Sequence, residues 1–328
     1  MRSLKLVDIK KSFQLLLFLS FSILCVSIAH SAETTSLWKV TGDGSGPSIY
    51  LAGSIHILSE DDHPLHPAFE AAYRASDDLV LEIATNDDPG SDTLALEKGM
   101  YGKGRKISDD LSPEMYAELE KYLKGVGLPT TAMDGFRPWM AGMTISITEI
   151  MKMGGRPELG VDTFFEERAV KDGKTVRGLE TTEFQINLFA KLNKDEQEKM
   201  LGSTLKDMAS VETDFPKMVK AWREGDDATV EMMIDDSMSG TPQFRKALLD
   251  NRNENWAKKI NEYLKGDKDI MVIVGAAHLV GEKGLIKLLK GSGLRVERWN
   301  AENKNKKKKP SKKKASFIPV SIRVGFLF

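Results

Sequence analysis

Cysteine is almost absent from this chain of 328 residues, whose one thiol is that of Cys25. Cys25 lies inside an N-terminal apolar stretch, so a protein that is cleaved after this stretch contains no thiol at all. Such a protein can form no disulfide, no thiolate metal site and no cysteine nucleophile. The absence suits an oxidising compartment and directs attention to imidazole and carboxylate groups.

Positive charge is scarce in the body of the chain. Residues 33–302 carry 34 basic and 47 acidic side chains, although the whole chain has a net charge of only -1. Nucleic-acid binding requires a basic face that contacts phosphates, so no nucleic-acid partner is expected.

The positive charge that balances this body lies in residues 303–328, which hold eight lysines, one arginine and no acid. Like charges repel, so this tail is predicted to be disordered, with contact to an anionic lipid surface as the functional alternative.

Long apolar runs are absent after the first 30 residues. Residues 1–31 have a basic start, the apolar segment FQLLLFLSFSILCVSIA and then small residues. This pattern predicts a signal peptide cleaved after Ala29 or Ser31 and an exported protein, periplasmic or secreted. The alternative is an uncleaved membrane anchor, because the apolar run approaches the ~20 residues that span a bilayer.

Several common catalytic motifs are also missing. The chain has no HExxH, no Gly-x-Ser-x-Gly, no Walker loop and no dinucleotide-binding fingerprint. The glycine-rich GDGSG at residues 42–46 lies between two apolar segments and is interpreted as a tight turn between strands.

The segments that are present alternate between strand and helix patterns. Strands are predicted in SLWKV, SIYLAGSIHIL, DDLVLEIA, TVRGLE, DIMVIVGAAH and LRVERW. Helices are predicted between them, one capped by Ser112, one opened by Pro138 and one closed by Gly173, and residues 194–265 have helical periodicity throughout. This order predicts an α/β domain over residues 33–302, with a mostly parallel central sheet flanked by helices and a helical insertion. The fifteen methionines are expected to fill its core.

Four polar residues follow the predicted parallel strands. His56 and His278 each come three residues after a glycine, Gly53 or Gly275, at the end of an apolar run, while Glu82 and Glu180 end two other strands. Ligands bind at the carboxyl ends of parallel strands, and these four residues fall on that edge. Imidazole and carboxylate groups are the ligands of hydrolytic Zn²⁺, Mn²⁺ and related ions.

Each of these residues also has a structural interpretation. A histidine at a strand end is often only hydrogen-bonded, and Glu180 and the threonines after it are able to cap the next helix. Glu82 is the strongest candidate, because a carboxylate in an apolar strand is costly to bury unless it is paired or bound to metal. Arg137 either stabilises developing negative charge or forms a salt bridge. A further histidine, His63, lies in a proline-containing loop and is expected at the surface.

With these residues in view, the chain resembles the TraB/GumN family, which is related to the Tiki metalloproteases and more distantly to erythromycin-esterase-like folds. The matching segments are YLAGSIHIL, DDLVLEIA, FRPWMAG, GVDTFFEERA, VRGLETTEFQ and VGAAHLVGEKGLIKLLKGSG. The resemblance implies a hydrolase that depends on a divalent ion (Zn, Mn or Co) and acts on a peptide or protein. Carried over by position, it implies His56, Glu82 and His278 as metal ligands. It places Glu180 and Arg137 as catalytic neighbours and Gln185 as a substrate-binding residue.

Two rival functions stay open at this point. One is a protein that sequesters an extracellular peptide or glycan in the same cleft without turnover. The other is an esterase or another hydrolase of non-peptide substrates. Cleavage assays on peptides and on esters separate these alternatives from a peptidase.

Overall fold

The predicted α/β class is confirmed by a computed structural model, which describes residues 34–84 and 91–299. Its central sheet is mixed and mostly parallel. The strands are β1 (Leu37–Thr41), β2 (Ser48–Ser54), β3 (Asp78–Leu81), β4 (Val176–Gly178), β5 (Ile270–Gly275) and β6 (Arg295–Arg298).

The strand order is β4-β3-β5-β2-β1-β6. Neighbouring strands from β4 to β2 pair in parallel, whereas β1 is antiparallel to both β2 and β6. The GDGSG segment joins β1 to β2, as predicted, with Gly44 at a φ of 111° that favours glycine. The chain therefore leaves β2, β3, β4 and β5 at the same edge of the sheet, which we call the carboxyl edge.

Helices cover both faces of the sheet. Every residue of β2, β3 and β5 is buried, as expected for strands that are covered on both sides. On one face Tyr50 and Ala52 belong to a core that includes Phe69, Phe165 and Trp222. The alternate residues of β2 face a second core, built around Trp256 and Ile260.

The helical insertion lies between β3 and β5. The helices in chain order are α1 (Pro67–Ala75), α2 (Ser91–Gly99), α3 (Pro113–Gly125), α4 (Pro138–Lys152), α5 (Val161–Asp172), α6 (Thr182–Ala190), α7 (Lys194–Asp207), α8 (Val211–Glu224), α9 (Asp227–Ser237), α10 (Pro242–Arg245), α11 (Asn251–Tyr263) and α12 (Leu285–Gly291). Between α10 and α11 the chain makes a π-helical segment, Lys246–Asp250. Strand β4 divides the insertion, since α2 to α5 precede it and α6 to α11 follow it.

The local helix signals are confirmed. The Ser112 side chain accepts a hydrogen bond from the backbone N–H of Met115 at the start of α3. Pro138 is the first residue of α4. Gly173 ends α5 with a φ of 71°, a left-handed conformation that glycine adopts without strain. These short-range patterns therefore set the helix boundaries.

Two predicted segments lie outside the described residues, namely the signal peptide at 1–31 and the lysine-rich tail at 303–328. Among the helices in the described ranges, none has both the length and the apolar character that crossing a bilayer requires.

Candidate functional site

The four strand-end residues lie at the carboxyl edge, as predicted. Glu82 directly follows β3, and the backbone N–H of Glu180 donates to the Glu82 carbonyl at 2.9 Å. The His278 Nε2 atom lies 3.7 Å from Oε1 of Glu82. The topology thus brings three of the predicted site residues into one buried group, while His56 lies beside it at the end of β2.

An arginine that the sequence patterns did not single out joins this group together. Arg252, on α11, has only 3% of its surface exposed. Its Nη2 donates to Oε2 of Glu82 and to Oε1 of Glu180, both at 2.6 Å, and its Nη1 donates to Nε2 of His278 at 2.9 Å. We call Arg252, Glu82, Glu180 and His278 the Arg252 cluster.

Glu82 is held as a carboxylate by several donors. Besides Arg252, the side-chain amide of Gln185 donates to Oε2 at 2.9 Å and the backbone N–H of Gly275 donates to Oε1 at 2.7 Å. Burial raises the pKa of Glu82, but the charge of Arg252 and the other donors outweigh it and lower the pKa to about 2. Gln185, predicted from the resemblance, therefore belongs to the site through Glu82.

Glu180 has a different environment although it shares the same arginine. Both of its oxygens accept from Nε of Arg252, and Oε2 also accepts from the indole N–H of Trp256 at 3.2 Å. Burial raises its pKa, and Arg252 offsets this only in part. The alternative that this segment caps α6 is confirmed for Thr181, whose side chain accepts from the backbone N–H of Phe184, whereas the Glu180 carboxylate accepts from Arg252 and Trp256.

The tautomer of His278 follows from its neighbours. The side-chain amide of Asn253 donates to the Lys283 carbonyl at 2.9 Å, which turns its oxygen towards His278 Nδ1 at 2.7 Å. Nδ1 therefore carries the proton, and Nε2 presents a lone pair to Arg252. Burial and the adjacent arginine lower the pKa of His278 to about 3, so the ring is neutral.

His56 is oriented by a carboxylate from another element. Its Nδ1 lies 3.0 Å from Oδ1 of Asp162, which also accepts from the Ser54 hydroxyl at 2.7 Å. Burial opposes protonation of His56, but the charge and hydrogen bond of Asp162 outweigh it and raise the pKa to about 9. A carboxylate behind the imidazole is the arrangement that fixes ring orientation in many metal and catalytic sites.

Gly160 makes this arrangement possible. It precedes α5, the helix that carries Asp162, and a Cβ atom on it would lie 2.1 Å from the backbone oxygen of His56. Only glycine lets the start of α5 come this close. The space beside Gly53, in contrast, is taken by Ser36 and Leu279, so this glycine serves strand packing rather than the approach of a ligand.

In the described ranges, no hydrogen bond, ion pair or ring contact joins Arg137 to the Arg252 cluster. Arg137 caps α4, its guanidinium lies 5.1 Å above the Tyr101 ring, and its buried Nε has no hydrogen-bond partner in the described ranges. None of the contacts in those ranges is an ion pair of Arg137 with an acid. His63 is also separate, since its Nε2 lies 2.9 Å from the Leu159 carbonyl in a loop, as expected for a structural residue.

The resemblance implies a divalent ion, so the donor atoms need to be tested against one. Neutral His278 with a lone pair at Nε2 and ionised Glu82 are suitable ligands by chemistry. Among residues 34–84 and 91–299, no group of three or more His, Cys, Asp and Glu side chains is placed to hold an ion. Arg252 donates to Nε2 of His278 and to Oε2 of Glu82 in this structure, so an ion would bind these two atoms in exchange for the two hydrogen bonds.

A cavity lies in the helical insertion next to Arg252. It has a volume of about 490 Å³, within the range of ~300–1,000 Å³ that is usual for ligand pockets. Its walls come mainly from α4, α7, α8 and α9, and Arg252 is the member of the Arg252 cluster that lines it. A ligand in this cavity would therefore contact Arg252.

The residues missed by sequence reasoning are Arg252, Asn253 and Asp162. In α11, Arg252 shares a face with Trp256 and Ile260 at spacings of four residues, and both of these are buried. A charged residue on an apolar stripe was the available signal. For Asp162 no comparable signal exists, because an acid in the first turn of a helix is common.

Comparison with known proteins agrees with this architecture. The sequence model of the TraB/PrgY/gumN family matches residues 36–298. Two uncharacterized proteins named YbaP, from Escherichia coli (strain K12) and Shigella flexneri, are each 26% identical to this chain over 243 residues, which is 74% of this chain and 87% of theirs. No solved structure matches. The matched region includes all six strands and every residue of the Arg252 cluster, and the chain belongs to the TraB/PrgY/gumN family.

Proposed function

We propose that the chain is an exported hydrolase that cleaves peptide bonds at the Arg252 cluster with the help of a divalent metal ion. One observation carries the proposal. The side chains of two carboxylates, an arginine and a neutral histidine lie buried together at the carboxyl edge, where parallel sheets bind their ligands, and the arginine also lines a cavity. A purely structural ion pair needs no cavity and no neutral imidazole beside it.

The two carboxylates suit two different roles. Glu82 stays ionised, whereas burial raises the affinity of Glu180 for a proton. Glu180 would accept a proton from the attacking water as the new C–O bond forms. It would pass that proton to the departing amine as the C–N bond breaks. Paired groups whose environments separate their pKa values are typical of acid–base catalysis.

The negative charge that develops on the scissile carbonyl oxygen needs a hydrogen-bond donor to stabilise it. All five N–H groups of Arg252 are engaged, with Glu82, Glu180, His278 and the Leu248 carbonyl. Arg137 has a buried Nε without a partner in the described part of the chain. Its proposed role, to stabilise the oxyanion or to bind a substrate carboxylate, is supported by this spare donor, although no contact joins it to the cluster.

His56, Glu82 and His278 would hold the proposed ion, be it Zn, Mn or Co. The ion would supply an activated water and polarise the scissile carbonyl. An ion bound to Nε2 of His278 would replace the hydrogen bond that Arg252 donates to this atom, because one lone pair cannot bind both. The carboxylate of Asp162 behind His56 and the amide of Asn253 behind His278 support this assignment, since each fixes Nδ1 and turns Nε2 away from it.

Metal content and peptide cleavage, measured on one preparation, test the proposal. We expect bound divalent metal by elemental analysis and cleavage of a peptide library that a chelator abolishes. His56→Ala, His278→Ala and Glu82→Gln should lose both properties, whereas His63→Ala, a histidine outside the site, should keep them. Full cleavage in His56→Ala and His278→Ala would overturn the proposal.

A second function is favoured by one observation. Because every donor of Arg252 is already satisfied, the cluster is also able to act as a rigid wall of a binding cleft. The chain would then sequester a peptide or glycan without turnover. Recovery of intact peptide from a metal-loaded complex would favour this rival over the hydrolase.

The proposals for export and for the tail rest on sequence alone. The mature N-terminus should lie near residues 30–33, and the intact mass of secreted material checks this. Retention of residues 1–28 in a membrane pellet would favour an anchor.

Deletion of residues 303–328 should leave cleavage unchanged and weaken binding to anionic vesicles at low salt. Loss of cleavage on truncation would contradict the proposed role of the tail.

A further inference from the structure

The cavity beside the Arg252 cluster has an unusual lining. Seven of the chain's methionines form its walls, so they do not only fill the core as the sequence suggested. We call the cavity the methionine chamber after them: Met143, Met200, Met208, Met218, Met232, Met233 and Met238. Thioether side chains are unbranched and flexible, so a surface rich in them adapts to apolar groups of different shape.

The chamber is too large to be a packing defect. Protein interiors are close-packed and contain few voids larger than a water molecule, whereas this one has a volume of about 490 Å³. It extends from buried residues such as Met218 to exposed ones such as Met232, which has 54% of its surface accessible. Arg252 also lines the chamber. The chamber is therefore bounded by exposed residues and by one buried residue of the Arg252 cluster.

Carboxylates interrupt the apolar lining. Asp207, Asp214 and Asp236 line the chamber together with a single lysine, Lys217. Among the described residues, the only other cation in the lining is Arg252, whose charge is already matched by Glu82 and Glu180. The chamber is thus apolar with an excess of negative charge.

Asp207 is the most buried of the three acids. Its Oδ2 accepts from the Ser237 hydroxyl at 2.7 Å. Burial raises its pKa, and the charges of Asp236 and Asp214 add to this, while Ser237 and the charge of Lys206 act in the opposite direction. A positively charged group placed next to Asp207 would relieve the cost of burying its charge.

We propose that the methionine chamber is the specificity pocket of this protein and takes an apolar peptide segment that carries a lysine or arginine. The apolar side chains would lie against the methionines, and the basic group would pair with Asp207. This inference rests on the proposed function, since it names the substrate of the same site. It adds the kind of peptide, an apolar segment with a basic residue, which neither the resemblance nor the family match supplies.

Charge decides between a peptide and a lipid as the occupant. An acyl chain suits an apolar chamber equally well by shape, but a fatty acid or a phospholipid brings an anionic group towards three carboxylates. Like charges in a partly buried site repel strongly. A basic peptide satisfies both the apolar and the acidic parts of the lining.

Binding by titration calorimetry tests the inference with three matched probes. They are acetylated and amidated heptapeptides: one with six leucine or methionine residues and a central lysine, one with glutamate in place of the lysine, and one with serines in place of the apolar residues. Sodium laurate is the lipid probe. The purified protein, with and without added metal, is used for each.

The variants separate charge from shape. Asp207→Asn removes the charge at nearly constant volume, and Ser203→Phe, in α7, fills the chamber. Asp267→Asn removes an equal charge from an exposed loop and is the control. Thermal melting checks that each variant folds. Because Asp207→Asn is almost isosteric, the test does not depend on Ser203→Phe being stable.

We expect the lysine peptide to bind on the order of tenfold more tightly than the glutamate peptide, as one charge-assisted hydrogen bond predicts. The serine peptide should bind weakly. Asp207→Asn should remove most of the charge preference, Ser203→Phe should weaken both apolar peptides, and Asp267→Asn should change nothing. Equal affinity for the two charged peptides, no effect of Asp207→Asn, or tighter binding of laurate than of the lysine peptide would overturn the inference.

Cleavage of the same peptides shows which of the two proposals fails, if one does. Selective binding of the lysine peptide without cleavage supports the chamber and contradicts the hydrolase. Cleavage that ignores the basic residue and both chamber variants supports the hydrolase and contradicts the chamber.

Discussion

The short strand β3 carries a buried acid at each end, and the two acids are satisfied in opposite ways. At the amino end, Asp78 pairs with Lys268 and Arg177, whose side chains are 52% and 44% exposed. At the carboxyl end, Glu82 pairs with Arg252, whose side chain is 3% exposed. The cations that pair with Asp78 remain partly hydrated at the surface, whereas the cation that pairs with Glu82 is itself buried. A buried carboxylate alone therefore does not mark a site; a carboxylate with a buried cation does.

The largest expected effect follows from removing the buried cation. Arg252→Met leaves Glu82 and Glu180 without a counter-charge, which should lower the free energy of unfolding by about 3–5 kcal/mol. Urea denaturation of the purified protein measures it. Arg252→Lys, which keeps a charge but loses the fork of donors, should cost less. A loss below about 1 kcal/mol for Arg252→Met would place this pair in the same class as surface ion pairs.

Gly160 tests whether the carboxyl edge depends on close backbone packing. Gly160→Ala puts a Cβ 2.1 Å from the His56 backbone oxygen, and the overpacking should destabilise the fold by about 1–3 kcal/mol. It should also separate Asp162 from His56. Gly102→Ala is the control, because no atom lies within 4 Å of a Cβ there. Equal stability of the two variants would contradict the tight packing of α5 on β2.

Asp207 sharpens the comparison, because it is a partly buried acid that accepts a hydrogen bond from the Ser237 hydroxyl rather than from a cation. Burial raises its folded-state pKa above the unfolded value, so its contribution to stability is present at low pH and is lost as pH rises through the folded pKa. Asp207→Asn does not titrate. Relative to the parent, the variant should therefore gain stability between about pH 3.5 and pH 7. Urea unfolding at both pH values checks the sign, and a relative loss would contradict it.

The smallest effect is expected at the amino end of β3. Lys268→Met removes one exposed partner of Asp78 and leaves Arg177 in place, so the cost should be about 0–1 kcal/mol. Added salt should reduce even this difference, because exposed charges are screened. A cost as large as that of Arg252→Met would remove the distinction between the two ends of the strand.

The sequence predicted the fold and three of the four residues of the Arg252 cluster for a physical reason. Strand burial, turn residues and helix caps are local, so SIYLAGS or DIMVIVG can be interpreted without knowing their partners. Glu82 and His278 were found because they end such strands. Arg252 was not found, because its role depends on residues 170 and 72 positions away in the chain. Its own segment, NRNENWAKKI, shows that Arg252 lies on the apolar stripe of a helix but not which acids it pairs with.

The methionines illustrate the same limit in a different way. Their helical spacing predicts apolar faces correctly, since Met143 and Met218 are buried. Spacing does not determine whether facing helices close the gap between them. The volume of the methionine chamber depends on how α4, α7, α8 and α9 pack together, which the composition of each helix does not specify.

The π-helical segment Lys246–Asp250 has a consequence for how the carboxyl edge is built. Each residue in a helix turns the following side chains by about 100°. Removal of one residue from this segment would rotate Arg252, Asn253 and Trp256 away from β3 and β5 together, without altering any of them. The sequence of α11 determines which residue is the buried cation. The number of residues in the π-helical segment before α11 determines the direction of that side chain. The contacts at the carboxyl edge therefore depend on the length of this segment. Deletion of a single residue from it would disrupt the contacts of all three side chains at once.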